Sequence, residues 1–135
     1  MLGIDPDPER LWPAAAHLRE NARDRQATAA AVAEHCRLLI EAAGESCVAI
    51  KPQLACFERL GSDGWSALEA TAQAAREVGL LVIADGKRGD VPVTAKAYAE
   101  ALFADPVGGS EALTADATTV NPLLGEDSIE PFVDA

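Results

Sequence analysis

The segment Asp85-Gly86-Lys87-Arg88-Gly89-Asp90-Val91 directly follows the apolar run Leu80-Leu81-Val82-Ile83-Ala84. Asp85 and Lys87 are two positions apart, so an extended backbone points both side chains to one side. Asp90 comes after a further turn, and Gly86 and Gly89 let the backbone turn sharply or approach a ligand closely. Two earlier apolar runs also stop at a charge. Gly3-Ile4 ends at Asp5, and Cys47-Val48-Ala49-Ile50 ends at Lys51. If Lys51, Asp85, Lys87 and Asp90 meet, their charges alternate and pair. A carboxylate held between lysines stays ionised, which makes it a poor general base. Such a set suits fixed charge against a substrate and delivery of a proton from an ammonium. The plainer alternative is a charged surface loop with solvated residues at the strand ends. The density of charge after a run that should be buried weighs against that alternative.

The elements that must carry these residues alternate along the chain. After Asp5 comes a helical region in which Val32, Cys36, Leu39, Ile40 and Ala43 share one face, with Gly44 as a candidate C-cap. The strand ending at Lys51 is broken by Pro52. Residues 62–64 have loop composition. Ser66 is a candidate N-cap for a helix that turns Leu68, Ala72 and Ala75 inward and closes at Gly79. Leu80–Ala84 is the third strand. Thr94–Phe103 is predicted helical, with Ala97, Tyr98, Ala101 and Leu102 on one stripe. Ala117–Val120 is a fourth strand leading to Asn121-Pro122, and a further helix begins near Asp127 or Ser128.

Unbroken apolar strands, each followed by a helix, predict a parallel sheet covered by helices. The strand ends Asp5, Lys51, Asp85 and Asn121 are spaced at 46, 34 and 36 residues. A (β/α)8 barrel of about 250 residues averages about 31 per unit. The expected fold is therefore α/β, about four βα units with the first enlarged: either a complete doubly wound sheet of four or five strands, or the N-terminal half of a (β/α)8 TIM barrel that would need four more. In such folds the carboxyl ends of the strands form the rim where chemistry occurs.

Composition narrows the partners. The 135 residues are 49% hydrophobic and carry a formal charge of −11, with a pI near 4.4. That is one domain at most. The acidity argues against nucleic acid, which requires a basic stripe, and against an anionic membrane. A mean hydropathy of +0.04 is too apolar for disorder, and no stretch reaches the roughly 20 apolar residues of a spanning helix. Cys36, Cys47 and Cys56 are widely spaced, and His17 and His35 lie far apart. All five read as packing or surface residues of a reducing compartment, so the expected location is cytoplasmic. Trp12 and Trp65 read as packing residues, and Arg88 and Lys96 as solvated or locally paired.

Five segments in order carry a family resemblance. The D-x-K-x-x-D pattern of Asp85, Lys87 and Asp90 after an apolar strand resembles the orotidine 5′-phosphate decarboxylase superfamily. Gly3-Ile4-Asp5-Pro6 is similar to that enzyme family's first-strand motif, and Ile50-Lys51-Pro52-Gln53 to its second-strand lysine. Thr94-Ala95-Lys96-Ala97-Tyr98-Ala99 resembles the helix after the catalytic loop. Thr119 to Ser128, reading TVNPLLGEDS, resembles the fourth strand of the long bacterial branch.

The resemblance implies decarboxylation of orotidine 5′-phosphate to UMP, the last step of de novo pyrimidine synthesis, with no metal or organic cofactor. It implies that Lys87 donates the proton to C6, that Asp85 sits against the departing carboxylate, and that Lys51 and Asp90 complete a charged tetrad. Asp5 and Lys51 would hydrogen-bond the ribose hydroxyls. Asp90 and Thr94 would act in the partner subunit's site, with Val91 beside the pyrimidine, so that the enzyme is a homodimer at catalysis. Residues 1–135 then form a partial barrel domain without the loops after strands 7 and 8 that grip phosphate in such barrels. An open four-stranded half would expose two sheet edges and an apolar inner face, and is expected to self-associate and to be inactive alone. Two alternatives stay open: a non-catalytic half-barrel that assembles with a complementary half, and a sugar-phosphate decarboxylase or aldolase of the same superfamily.

Overall fold

A computed structural model describes residues 1–19, 24–103 and 113–135. Its centre is a four-stranded sheet of β1 (Leu2–Ile4), β2 (Ala49–Pro52), β3 (Leu81–Arg88) and β4 (Ala117–Val120), in the order β1-β2-β3-β4. All three pairings are parallel, as the unbroken apolar runs predict. Among the described residues β1 and β4 are the edges. The helices are α1 (Pro13–Ala16), α2 (Arg25–Ala43), α3 (Leu54–Glu58), α4 (Gly61–Glu77), α5 (Pro92–Phe103) and α6 (Glu130–Val133). No helix among the described residues is long and apolar enough to cross a membrane.

The core lies between the sheet and the layer formed by α2 and α4. Ile4, Ile50 and Val82 from three adjacent strands meet Val32, Cys36, Ile40, Leu68 and Ala72 from the helices, all buried. Burial of each large aliphatic side chain stabilises by about 1.5–3 kcal/mol. Asp24 caps α2 by accepting from the Ala27 amide at 2.7 Å. The three thiols are free; burial in the core pushes Cys36 up to about 12, so it packs as a small apolar side chain. Trp65 packs against the same core. Trp12 is partly exposed but meets His35 edge to face at 5.7 Å between ring centroids, and its amide donates to His35 Nδ1 at 3.2 Å.

Several local expectations are corrected. Residues 62–64 are not a loop but the first turn of α4. Gly64 is needed there because a Cβ would stand 2.0 Å from the Phe57 carbonyl oxygen. Ser66 therefore lies inside the helix, its hydroxyl donating to the Ser62 carbonyl at 3.4 Å. Two glycine expectations hold: Gly44 is the C-cap of α2, in helical backbone, and leads into a 3₁₀ turn over Gly44–Ser46, and Gly79 closes its helix. With φ +79 at Gly79, its amide reaches the Arg76 carbonyl at 2.9 Å and the Leu80 amide reaches Ala75 at 2.9 Å, a Schellman ending. Helix α3 was not anticipated. On α5 the buried residues are Ala95, Ala99 and Leu102, while Ala97 and Ala101 are exposed.

Candidate active site

The strand-end charges converge at the carboxyl end of β2 and β3. Asp85 is buried, with a relative exposure of 4%. One carboxylate oxygen, Oδ1, accepts from Lys87 Nζ at 2.6 Å and from the Thr119 hydroxyl at 2.8 Å. The other, Oδ2, accepts from Lys51 Nζ and from Gln53 Nε2, the latter at 3.3 Å. The hydrogen bonds from Lys51 and Lys87 hold the Asp85 carboxyl far below the usual carboxylate range. The Thr119 hydrogen bond adds to them against the opposing effect of burial. The two ammonium groups differ in access: the Lys51 side chain is 25% exposed and that of Lys87 64%. Lys87 therefore presents its charge to the open side of the rim.

The backbone that produces this arrangement is irregular. β3 does not stop at Asp85 but runs on to Arg88. Ala84 pairs with Thr118 and Arg88 with Val120, so β3 advances four residues where β4 advances two. The excess is taken up over Asp85-Gly86-Lys87, as in a β-bulge. The residue in the left-handed region is Lys87, at φ +46, and neither flanking glycine has a positive φ. The glycines serve closeness instead. A Cβ on Gly86 would stand 2.9 Å from Leu54 Cδ1, and one on Gly89 would stand 3.0 Å from both Cβ and the carbonyl oxygen of Asn121.

Other members of the expected set stand apart. Asp5, at the end of β1, is exposed and makes no hydrogen bond or ion pair with Lys51 among the described residues. Asp90 turns back on its own loop, accepting from the Val91 amide at 2.7 Å, and does not join the lysines of this chain. Val91 is 57% exposed. Thr94 lies in the first turn of α5, its amide donating to the Val91 carbonyl at 3.0 Å. Lys51, Asp85 and Lys87 are thus brought together, while Asp5, Asp90, Val91 and Thr94 are not.

Gln53 and Thr119 were not singled out as site residues from the sequence, although both touch Asp85. Their signal was positional. Gln53 is two residues past Lys51 and so on the same side of an extended chain, and Thr119 lies on β4 beside the site strand. Arg88 is locally paired, the second of the two states expected for it. It pairs with Glu58 of α3, and its guanidinium lies 5.2 Å from the Tyr98 ring centroid of α5. Among the described residues no group of three or more His, Cys, Asp or Glu side chains is placed to hold a metal.

A parallel sheet of βα units with an acid and two lysines at its strand ends defines the class: the N-terminal part of a (β/α)8 barrel with a charged rim. Comparison with known proteins then specifies the family. The Orotidine 5'-phosphate decarboxylase / HUMPS family matches residues 2–135, and the chain belongs to that family. It is 41% identical over 132 residues to orotidine 5'-phosphate decarboxylase of Roseiflexus sp. (strain RS-1), covering 98% of this chain and 42% of the relative. It is 40% identical over 134 residues to that of Rhodopirellula baltica, covering 98% and 44%. Among solved structures, Leishmania donovani OMP decarboxylase superposes with a TM-score of 0.74 at 36% identity, over 98% of this chain and 43% of that one. A putative orotidine 5'-phosphate decarboxylase from Streptomyces avermitilis gives 0.73 at 39%, over 98% and 42%. The chain thus spans less than half the length of the relatives it matches.

Proposed function

We propose that residues 1–135 form the N-terminal half of an orotidine 5′-phosphate decarboxylase barrel and carry its charged catalytic rim. The observation that supports this best is the Asp85 carboxylate bridged by Lys51 and Lys87, with the Lys87 ammonium open to the rim. In this reading the substrate's C6–carboxylate bond breaks, CO2 leaves, and the electron pair stays on C6. The Lys87 ammonium then transfers a proton to C6, giving UMP and a neutral amine. The C6 pair lies in the ring plane, orthogonal to the π system, so no ring orbital accepts it. Preorganised positive charge is what can stabilise it. Asp85 fixes Lys87 in place and faces the departing carboxylate, and Lys51 and Asp5 bind the ribose hydroxyls. No metal or organic cofactor enters the reaction. Asp90 and Thr94 act in the partner subunit's site with Val91 beside the pyrimidine, so the working unit is a cytoplasmic homodimer. The outward, self-satisfied position of the Asp90 loop supports this assignment.

The test joins this chain in frame to the C-terminal portion of the Roseiflexus sp. relative and measures UMP formation from orotidine 5′-phosphate. The fused protein is expected to turn over, and the 135-residue chain alone is not. Remote phosphate contacts stabilise the transition state as well as the substrate, and they would come from the joined portion. A folded fused protein without turnover overturns the reading. A second form of the reading has the chain assemble with a separate complementary half along β1 and β4. Activity on mixing the two unlinked halves, equal to that of the fused protein, would establish that form.

A further inference from the structure

The β3 excursion leaves a gap in the β3–β4 ladder, and one side chain fills it. Thr119 stands on β4 between Thr118 and Val120, whose partners are Ala84 and Arg88. Its hydroxyl oxygen accepts from the Lys87 amide at 3.0 Å. Because that oxygen is the acceptor there, the hydroxyl proton is free to go elsewhere, and it points to Asp85 Oδ1 at 2.8 Å. Asp85 Oδ1 in turn receives Lys87 Nζ at 2.6 Å. The Lys87 backbone, the Thr119 hydroxyl, the Asp85 carboxylate and the Lys87 ammonium therefore form a closed ring. The ring includes a residue at φ +46, a conformation that costs a non-glycine residue free energy unless its surroundings impose it.

We propose that Thr119 is the positioning residue of this site, holding Lys87 in its left-handed backbone and Asp85 in its rotamer through a single hydroxyl. This deepens the decarboxylase reading, on which its catalytic meaning rests. A β-branched side chain suits the task because its χ1 is stiff, so the oxygen remains between its two partners. Without the hydroxyl the Lys87 amide loses its acceptor, and the excursion can relax toward ordinary strand geometry. The ammonium then swings away from the position that Asp85 and Thr119 define.

The test uses the 135-residue chain and requires no turnover, so it is separable from the decarboxylase reading. Residue-resolved hydrogen exchange of the Lys87 amide is compared in wild type, Thr119→Val and Thr119→Ser, with core amides of α4 such as Leu68 as the folding control. In parallel, carbon-13 NMR follows the titration of the Asp85 carboxyl, which Lys51, Gln53 and Lys87 also face. Thr119→Val should accelerate Lys87 exchange by about tenfold, the size of one lost hydrogen bond, and raise the Asp85 midpoint. Thr119→Ser should restore both, which a merely space-filling role would not produce. Unchanged Lys87 exchange and Asp85 titration in folded Thr119→Val overturns the proposal. So does a Lys87 amide that exchanges as freely in wild type as in the valine variant. If Thr119→Val loses core protection, Thr119→Ser decides: wild-type protection at Lys87 supports the proposal, and its loss in a folded chain overturns it. Both effects present in a chain whose fused form lacks turnover would leave the positioning role standing and remove the decarboxylase reading.

Discussion

Asp85 and Asp90 are five residues apart, and their surroundings are opposite. Asp85 is buried and accepts from four side chains, two of them lysines. Asp90 is only partly buried and accepts from its own loop's Val91 amide. The difference shows that the chain surrounds Asp85 with partners from other strands and leaves Asp90 to its own loop. A carboxylate that two strands and two lysines surround is part of the fold as well as of the site. A carboxylate bonded only within its own loop is the one that the proposed reading gives to a neighbouring subunit.

Activity gives the largest contrast to break. In the fused protein, Lys87→Ala and Asp90→Ala should each lower turnover by about 100-fold or more, since such electrostatic groups contribute about 3 kcal/mol. If Asp90 works in the partner's site, mixing the two variants under subunit exchange restores one intact site per mixed dimer. Random pairing then recovers up to about a quarter of wild-type activity. No recovery, with exchange confirmed by mass spectrometry, would put Asp90 in the same site as Lys87.

Stability separates the two acids in the other direction. Asp85→Ala leaves Lys51 and Lys87 facing each other without their shared partner. It should cost about 2 kcal/mol in urea unfolding, the partial exposure of both lysines keeping it below the buried-pair range. Asp90→Ala should change the unfolding free energy by less than about 0.5 kcal/mol. Equal effects would erase the distinction.

The same contrast has a pH form. The folded-state pKa of Asp85 lies below its unfolded value of about 3.9. In the interval between them the unfolded chain binds the extra proton. The stability Asp85 contributes is therefore full above about pH 4 and is lost as pH falls toward the folded value. Wild type should lose stability through this acid limb, and Asp85→Asn should flatten it. The smallest expected effect concerns Arg88, which stands between the two regions. Arg88→Lys should cost about 1 kcal/mol, because lysine lacks the planar fork for Glu58 and stacks less well on Tyr98. A neutral result would mean that this contact does not anchor the loop.

The sequence carried the strands well because their signal is local. Leu80–Ala84 and Cys47–Ile50 are short apolar runs bounded by turn and charged residues, the pattern of strands in a parallel sheet. The convergence of Lys51, Asp85 and Lys87 followed from strand ends meeting on one rim. What escaped was set by packing across elements. Ser62, Asp63 and Gly64 have turn composition, yet they open α4 because Gly64 alone fits against the Phe57 carbonyl. The buried face of α5 departs from the expected stripe because Ala95, Ala97, Ala99 and Ala101 stand on both sides of the helix, so periodicity hardly discriminates between them. The bond between Thr119 and Asp85 spans 34 residues and depends on a register shift that no local pattern announces. Nor does any pattern mark Lys87, rather than either glycine beside it, as the residue with positive φ.

The unequal advance of β3 and β4 also limits how this segment can change over generations. Side chains along a strand alternate between faces with a period of two, and β3 exceeds β4 by an even number of residues between its two pairings. That parity keeps Ala84 and Arg88 matched in facing to Thr118 and Val120. A single-residue insertion or deletion between Ala84 and Arg88 would turn everything beyond it over, moving Arg88 off Glu58 and Tyr98. Length variants of this stretch should therefore survive only in steps of two. The spacing from Asp85 to Arg88 is constrained as an integer as well as by the chemistry of its residues.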